Sequence, residues 1–303
     1  MTERLYYTDA YLGRFRARVI DRADDGRTVY LDRSAFYPTS GGQPNDLGRL
    51  DDVAVLDVVD EGERVAHRLS APLAADDVEG MIDWTRRFDL MQQHTGQHLL
   101  SAVLEELFGW PTVSVHFGAE SSTLDIDVGT VAPAAVATAE ARANAVVWEN
   151  RPVHVAFEDA GSAAGLRKAT ERSGTLRIVT IADLDRSACG GTHVRTTGEI
   201  GAILLRRTER VKQLTRIEFL CGGRAVARAR RDLEALGSIA AVFSASLDDA
   251  PALVARQRDA LAEALAARKA LLAELATRRA AARHAAATPD GDGVRRLHLE
   301  FER

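Results

Sequence analysis

Gln93-His94-Thr95-Gly96-Gln97-His98-Leu99-Leu100 lies inside a run from about Phe88 to Phe108 whose apolar residues return at helical spacing. Met91, Leu99, Val103 and Leu107 form one row, with Leu100, Leu104 and Phe108 one step round. The spacing predicts an amphipathic helix, and residues four apart on a helix share a face, so both imidazoles point at one spot. A second pair sits in Ala188-Cys189-Gly190-Gly191-Thr192-His193-Val194, where two glycines permit a turn tight enough to bring a thiolate and an imidazole together. His94, His98, Cys189 and His193 make a borderline-soft nitrogen and sulfur set, for which zinc is the usual occupant. Four protein ligands also suit a purely structural zinc, so the donor set alone leaves catalytic and structural roles open.

Around this pair of motifs the chain divides into three regions. Residues 1–85 alternate apolar and polar positions in short runs, at Arg16–Ile20, Thr28–Asp32, Val53–Val59 and Arg64–Leu69, separated by Asp/Gly turns. This pattern predicts a small antiparallel β-barrel or sheet, interrupted by a glycine-rich loop. Residues 86–232 combine the two-histidine helix with a second helix opened by Pro133 and reaching about Asn150, and with strands near 153–157, 174–181, 199–206 and 214–221. The expected class is α+β.

Residues 233–303 are rich in Ala, Leu, Arg and Glu. Val254, Leu261, Leu265, Leu272 and Leu275 fall at roughly heptad spacing between Pro251 and Ala287, which predicts a long helix. Arg258, Arg268 and Arg279 interrupt the seam, so a helical hairpin and a homodimer contact are both open. Thr288-Pro-Asp-Gly-Asp-Gly breaks the helix, and the stretch from Val294 alternates like a further strand.

Composition limits the function classes. With 303 residues, 46% hydrophobic and 27% charged, the chain is long enough for two or three cored domains. Cys189 and Cys221 cannot form a disulfide framework, the N-terminus lacks an apolar signal core, and no run has membrane-spanning length. A cytoplasmic protein with no membrane role is expected. The net charge of −5 argues against a globally basic nucleic-acid binder but leaves local patches open. Arg206, Arg207, Arg210, Lys212 and Arg216, followed by Arg224, Arg228, Arg230 and Arg231, form one such cluster. It is either a phosphate-contacting surface or a solvated face. His67, His154, His284, His298 and Cys221 have no partner at ligand spacing and read as structural.

His94-Thr-Gly-Gln-His98 and Cys189-Gly-Gly-Thr-His193, downstream of Phe36-Tyr-Pro-Thr-Ser-Gly-Gly-Gln-Pro44, together resemble the alanyl-tRNA editing proteins (AlaX), free-standing relatives of the editing domain of alanyl-tRNA synthetase. The resemblance covers roughly residues 1–232. It implies a glycine-rich β-barrel, a zinc-bearing editing domain of the threonyl/alanyl-tRNA synthetase second-additional-domain type, and a C-terminal helical extension that here looks shortened. It also implies hydrolysis in trans of mischarged tRNA, with serine on the tRNA for alanine as the usual target and glycine as another.

The chemistry agrees with that implication. Zinc can polarise an ester or activate water, so no protein nucleophile is needed, and neither a Ser/His/Asp arrangement nor a Gly-x-Ser-x-Gly elbow is present. By the same resemblance the Thr112–Gly118 strand borders the editing pocket, which makes His116 and Ser114 candidate substrate residues. Thr123 is a further candidate. The Thr39–Pro44 loop, with Gly41, Gly42 and Gln43, faces the pocket in the family. Three alternatives stay open: a deacylase for a threonine-like or non-protein amino acid, a non-catalytic tRNA-binding or oligomerising module with structural zinc, and a zinc peptidase. The last is disfavoured because Thr95 stands where zinc peptidases carry Glu.

Overall fold

In the computed structural model, which describes residues 1–170 and 173–296, chain alternation in the first region closes into a barrel. A two-residue strand β1 (Glu3–Arg4) leads into β2 (Arg14–Arg22), β3 (Thr28–Leu31), a second two-residue strand β4 (Arg33–Ser34), β5 (Gly48–Leu50), β6 (Val53–Asp60), β7 (Val65–Leu69) and β8 (Asp77–Ile82). β1 and β4 pair in parallel, and the other six close in the order β2-β3-β7-β6-β5-β8. Side chains alternate along β2, so Phe15, Ala17 and Val19 point inward to meet Val29, Leu31, Phe36, Leu50, Val58 and Val78. Each of the Val, Leu and Phe side chains among them contributes roughly 1.5–3 kcal/mol on burial. The sequence pattern showed β2, β3, β6 and β7. It missed β5, too short to show alternation, and β8, where Gly80 interrupts the apolar positions because a Cβ there would overlap the Phe15 ring.

The long helix α1 (Trp84–Phe108) begins one turn before the expected Phe88, because the Asp83 carboxylate accepts the Arg86 N–H at 3.1 Å and caps it. Gly109, at φ +66°, ends it. Next come β9 (Thr112–Phe117), β10 (Ser122–Ile126), α2 (Pro133–Trp148), β11 (Val153–Asp159), β12 (Thr175–Ile181), β13 (Asp185–Ala188), β14 (Ile203–Val211) and β15 (Leu214–Cys221). One antiparallel sheet has the order β14-β15-β10-β9, the other β11-β12-β13. The strand expected at 199–206 starts only at Ile203. Ahead of it Thr196 and Glu199 form a reciprocal capping box that winds Thr197–Ile200 into a 3₁₀ turn.

Met91, Leu99, Leu100, Val103 and Leu104 of α1 form one core with Ala139, Ala143 and Val146 of α2 and with Leu124, Ile126, Ile217 and Phe219 of the four-stranded sheet. α1 is tied to the barrel by a fully buried ion pair between Arg87 and Asp46. Arg87 also donates to the carbonyls of Ala10 (2.7 Å) and Ala35 (2.6 Å), so its remaining donors are satisfied.

The chain forms two compact units, Met1–Ala229 and Arg230–Arg303, and the boundary falls within α3 (Gly222–Val242). The second unit contains α4 (Ala250–Ala286), whose Val254, Leu261, Leu265, Leu272 and Leu275 are exposed. No helix among the described residues is long and apolar enough to cross a membrane. His298 and most of the alternating stretch from Val294 lie outside the described residues. Val294–Arg296, which are described, form no strand.

Candidate metal centre

α1 presents His94 and His98 one turn apart, and the turn after β13 delivers Cys189 and His193 to the same place. The four ligand atoms lie within 4.8 Å of one another. Cys189 Sγ is 3.4 Å from His94 Nε2 and 3.3 Å from His193 Nε2. A tetrahedral zinc with ordinary Zn–S and Zn–N bonds would hold such a sulfur and nitrogen about 3.5 Å apart. All three imidazoles are buried.

Each imidazole is oriented through its other nitrogen. His94 Nδ1 meets Gln43 Oε1 at 2.7 Å, His98 Nδ1 meets Asp185 Oδ2 at 2.8 Å, and His193 Nδ1 meets Thr95 Oγ1 at 3.1 Å. Every ring therefore turns Nε2 toward the common centre, an arrangement that fixes tautomer and aim together. Asp185 is itself held by Arg167 Nε at 2.6 Å and by Ser187 Oγ at 3.0 Å.

Electrostatics favour the ligating form of Cys189 and His193. Burial pushes the Cys189 thiol up, but His94 and His193 outweigh it and hold the group well below its usual range, as the thiolate. Burial and the neighbouring His94 pull His193 down to about 3, so its imidazole is neutral at pH 7. Burial also opposes charge on His98, yet its hydrogen bond to Asp185 and the adjacent Cys189 raise it to about 9, so without an ion the ring carries a proton that metal binding would displace from Nε2. Asp185 is held below the usual carboxylate range: burial works against its charge, and His98 and then Arg167 overcome this. One thiolate and three Nε2 atoms, each backed by a hydrogen bond, fit zinc.

Beside the centre lies a cavity of about 540 Å³ whose wall includes Tyr37, Gly41, Gln97, Val115, Lys168 and Gly190. Its volume falls within the range of small-molecule sites. Two glycines of the motifs are dictated by close approach. A Cβ on Gly191 would overlap the His94 ring and Gln43 Oε1, and one on Gly96 would overlap Cys221 Sγ.

The other candidate residues fall into three places. Gly41 lines the cavity, and Gly42, at φ +85°, packs against β9, where an added Cβ would sit 3.4 Å from the Val115 carbonyl. Gln43 does not face the cavity. It is fully buried, accepts from Thr192 N–H (3.1 Å) as well as His94, and donates to Thr192 Oγ1 at 2.8 Å, so it supports the centre from behind. Ser114, His116 and Thr123 are absent from the cavity wall: on β9 it is Val115 that faces it, and alternation turns 114 and 116 the other way. Ser114 donates to Asp125 Oδ2 at 2.7 Å, and Thr123 lies opposite His116 and Glu218 on the same polar face.

Part of the basic cluster is ion-paired. Arg216 pairs with Asp125 at 2.8 Å, Arg206 with Glu218 at 3.3 Å, and Arg207 with Glu209 and Glu218 at 3.5 Å. Arg210 donates to the Lys212 carbonyl at 3.1 Å, with Lys212 at the hairpin tip at φ +58°. Arg224 grips Asp89 at 2.6 Å. His67 is buried in the barrel, and burial pulls it down to about 4. Cys221 is buried, which pushes its thiol up. Sequence reasoning missed Thr95, Asp185 and Arg167, which orient ligands, and Tyr7, Tyr37 and Gln97, which line the cavity. Thr95 was visible only as the residue between the two histidines. Asp185 reaches His98 across 87 positions, with no local pattern to mark it.

Residues 176–218 match the family of the threonyl and alanyl tRNA synthetase second additional domain. The alanyl-tRNA editing protein AlaX-M of Methanosarcina acetivorans is 36% identical over 231 residues, covering 69% of this chain and 94% of that protein. AlaX-L of Pyrococcus horikoshii is 36% identical over 243 residues, 75% of this chain and 60% of its own length. The alanyl-tRNA editing protein Aarsd1 of Bos taurus is 36% identical over 206 residues, 66% of this chain. The chain spans about half the length of that last relative, 46%.

Proposed function

Because the chain belongs to the alanyl-tRNA editing proteins, we propose that it is a trans-editing hydrolase that deacylates mischarged tRNA at a zinc centre formed by His94, His98, Cys189 and His193. The supporting observation is the convergence of those four donors beside an open cavity of about 540 Å³. A purely structural zinc would have no need of that space. The proposed substrate is serine on the tRNA for alanine, with glycine on the same tRNA second. The proposed organisation is a barrel at 1–85, an editing domain at 86–232 and a helical extension at 233–303, in a cytoplasmic protein.

His94, His98, Cys189 and His193 would hold the zinc, which would supply a Lewis acid for the aminoacyl ester. The remaining work falls to the protein. Gln43, Asp185 and Thr95 keep the three Nε2 atoms aimed at one point. Tyr37, Gly41 and Val115 bound the space for the amino acid, and Gly41 lets the loop backbone approach it without a side chain. Lys168 at the same cavity carries positive charge toward the phosphate of the aminoacylated end, while Arg167 is engaged in holding Asp185. Ser114, His116 and Thr123 have no part in this proposal, since they occupy the opposite face of the sheet. Nor does the partly ion-paired Arg206–Arg216 hairpin.

The test is a panel of seryl-, glycyl- and alanyl-tRNA for alanine, with zinc content measured alongside. Seryl-tRNA is deacylated fastest and alanyl-tRNA is spared, and Cys189→Ala or His98→Ala loses zinc and activity together while the barrel stays folded. Full activity in either variant contradicts the proposal. Preferred release of a threonine-like or non-protein amino acid would move the substrate to that class and leave the chemistry in place.

A further inference from the structure

Arg177, in the middle of β12, is nine-tenths buried, yet its guanidinium pairs with no carboxylate among the described residues. Its bonds go to backbone carbonyls. Nε donates to Tyr7 O at 2.9 Å, and Nη1 donates to Cys189 O at 2.7 Å and Gly191 O at 2.9 Å. The backbone carbonyl of Arg177 also accepts the Cys189 N–H at 3.0 Å. One residue thus grips the Cys189-Gly190-Gly191 turn at three points and fastens the Tyr7 segment of the cavity wall to it.

Burying a cation without a countercharge is costly, and an apolar side chain of similar size would fill the same space at lower cost. The guanidinium has two properties that such a residue lacks: several donors in a fixed planar fork, and a positive charge beside the Cys189 thiolate. The turn needs such an anchor. With two glycines in succession it is the part of the centre with the greatest backbone freedom, and only a narrow set of its conformations brings the sulfur and the His193 imidazole together.

We propose that Arg177 is a positioning residue for the metal centre, its fork holding the Cys189–His193 turn in the conformation that binds the ion and its charge standing behind the thiolate. The inference rests on reading the four donors as a zinc site. It concerns a residue that touches neither the ion nor the substrate.

The experiment measures zinc affinity of the full chain by competition with a chromophoric chelator, and records the visible spectrum of the cobalt(II)-loaded protein. Parent, Arg177→Lys and Arg177→Met are compared, with circular dichroism of the zinc-free proteins as the measure of folding. Arg177→Met is expected to bind zinc about 10- to 100-fold more weakly, in the range typical for lost outer partners of a metal site. Its thiolate-to-cobalt band should weaken or shift. Arg177→Lys, which keeps the charge but not the fork, should fall between the two.

A merely structural role would lower thermal stability and leave the folded protein's zinc affinity and cobalt spectrum at parent values. That result overturns the assignment. If Arg177→Met does not fold, Arg177→Lys decides alone, and parent-like affinity and spectrum in it are equally fatal. A parent chain that takes up no zinc refutes the zinc reading itself, whereas a zinc-binding parent matched by its Arg177 variants refutes only the role of Arg177.

Discussion

Gln43 shows how much one side chain can carry. Its amide oxygen accepts from both His94 Nδ1 and Thr192 N–H, and its amide nitrogen donates to Thr192 Oγ1, so a loop of the barrel orients one ligand and braces the turn that supplies two others. Replacing it with Ala leaves a buried imidazole N–H and a buried amide without partners. Gln43→Ala is expected to lower zinc affinity about 10- to 100-fold, as read by chelator competition, with the barrel still folded. Parent-like affinity would remove Gln43 from the centre. His67 makes a different residue-scale prediction. It lies fully buried between Ser34 Oγ at 2.7 Å and the Val29 carbonyl at 3.3 Å, with its pKa near 4 against about 6.5 for an unfolded chain. Above pH 6.5 the ring is neutral in both states, and its contribution to stability is complete. As the pH falls from 6.5 toward 4 the unfolded chain takes up a proton that the folded barrel refuses, and stability on the order of 3 kcal/mol is lost. Denaturant midpoints across that range should therefore fall more steeply for the parent than for His67→Gln. Parallel pH profiles would show that His67 does not titrate as its burial requires.

At the scale of elements, α1 passes so close to β15 that Gly96 of the His94–His98 turn faces Cys221 with no room for a Cβ. Gly96→Ala is expected to destabilise the chain by about 1–3 kcal/mol through overpacking. Cys221→Ala in the same chain should restore part of that loss, because it removes the sulfur that the new methyl group meets. Strictly additive losses in urea unfolding would place the strain elsewhere. The same contact shows where sequence reading succeeds and where it stops. Periodicity exposed α1 and the i, i+4 histidines, because a helix writes its faces into local spacing. It also exposed most of the barrel and the α4 helix, found at Ala250–Ala286. It could not show why the glycine between the histidines is needed, since the sulfur it faces lies 125 residues away. Ser114 and His116 lie off the cavity wall for a simpler reason. Alternation tells which residues share a face of a strand, but not which face looks toward the helices, and here the helix side belongs to Val115 and Phe117. The ion pairs of the Arg206–Arg216 hairpin were hidden in the same way, because the carboxylates come from β10 and from the partner positions of β14 and β15. If that hairpin is a solvated face, Arg207→Ala leaves the salt dependence of tRNA binding at the parent slope. A slope reduced by nearly one phosphate contact would restore it to the interface.

On the scale of the whole molecule, the unit Met1–Ala229 gathers the candidate chemistry, and it does so by bringing together parts far apart in sequence: the loop at Gln43, α1, the strand carrying Asp185 and the turn at Cys189. In the second unit, α4 exposes Leu261, Leu265 and Leu272 while carrying seven arginine or lysine residues against three acidic ones. We propose that this seam makes the homodimer contact. Sedimentation should show a dimer that high salt strengthens, since like charges oppose pairing, and Leu261→Glu with Leu265→Glu should yield a monomer with unchanged deacylation. A parent chain that is monomeric at all salt concentrations would remove the dimer and leave the metal centre untouched. The centre itself is open to one direct measurement, X-ray absorption at the zinc edge of the loaded protein. One zinc per chain is expected in the parent, with a single sulfur at about 2.3 Å and imidazole nitrogens at about 2.0–2.1 Å, and no such shell should remain in Cys189→Ala, which loses the ion. A zinc shell without sulfur, or one unchanged by that substitution, would show that the two distant stretches do not share an ion.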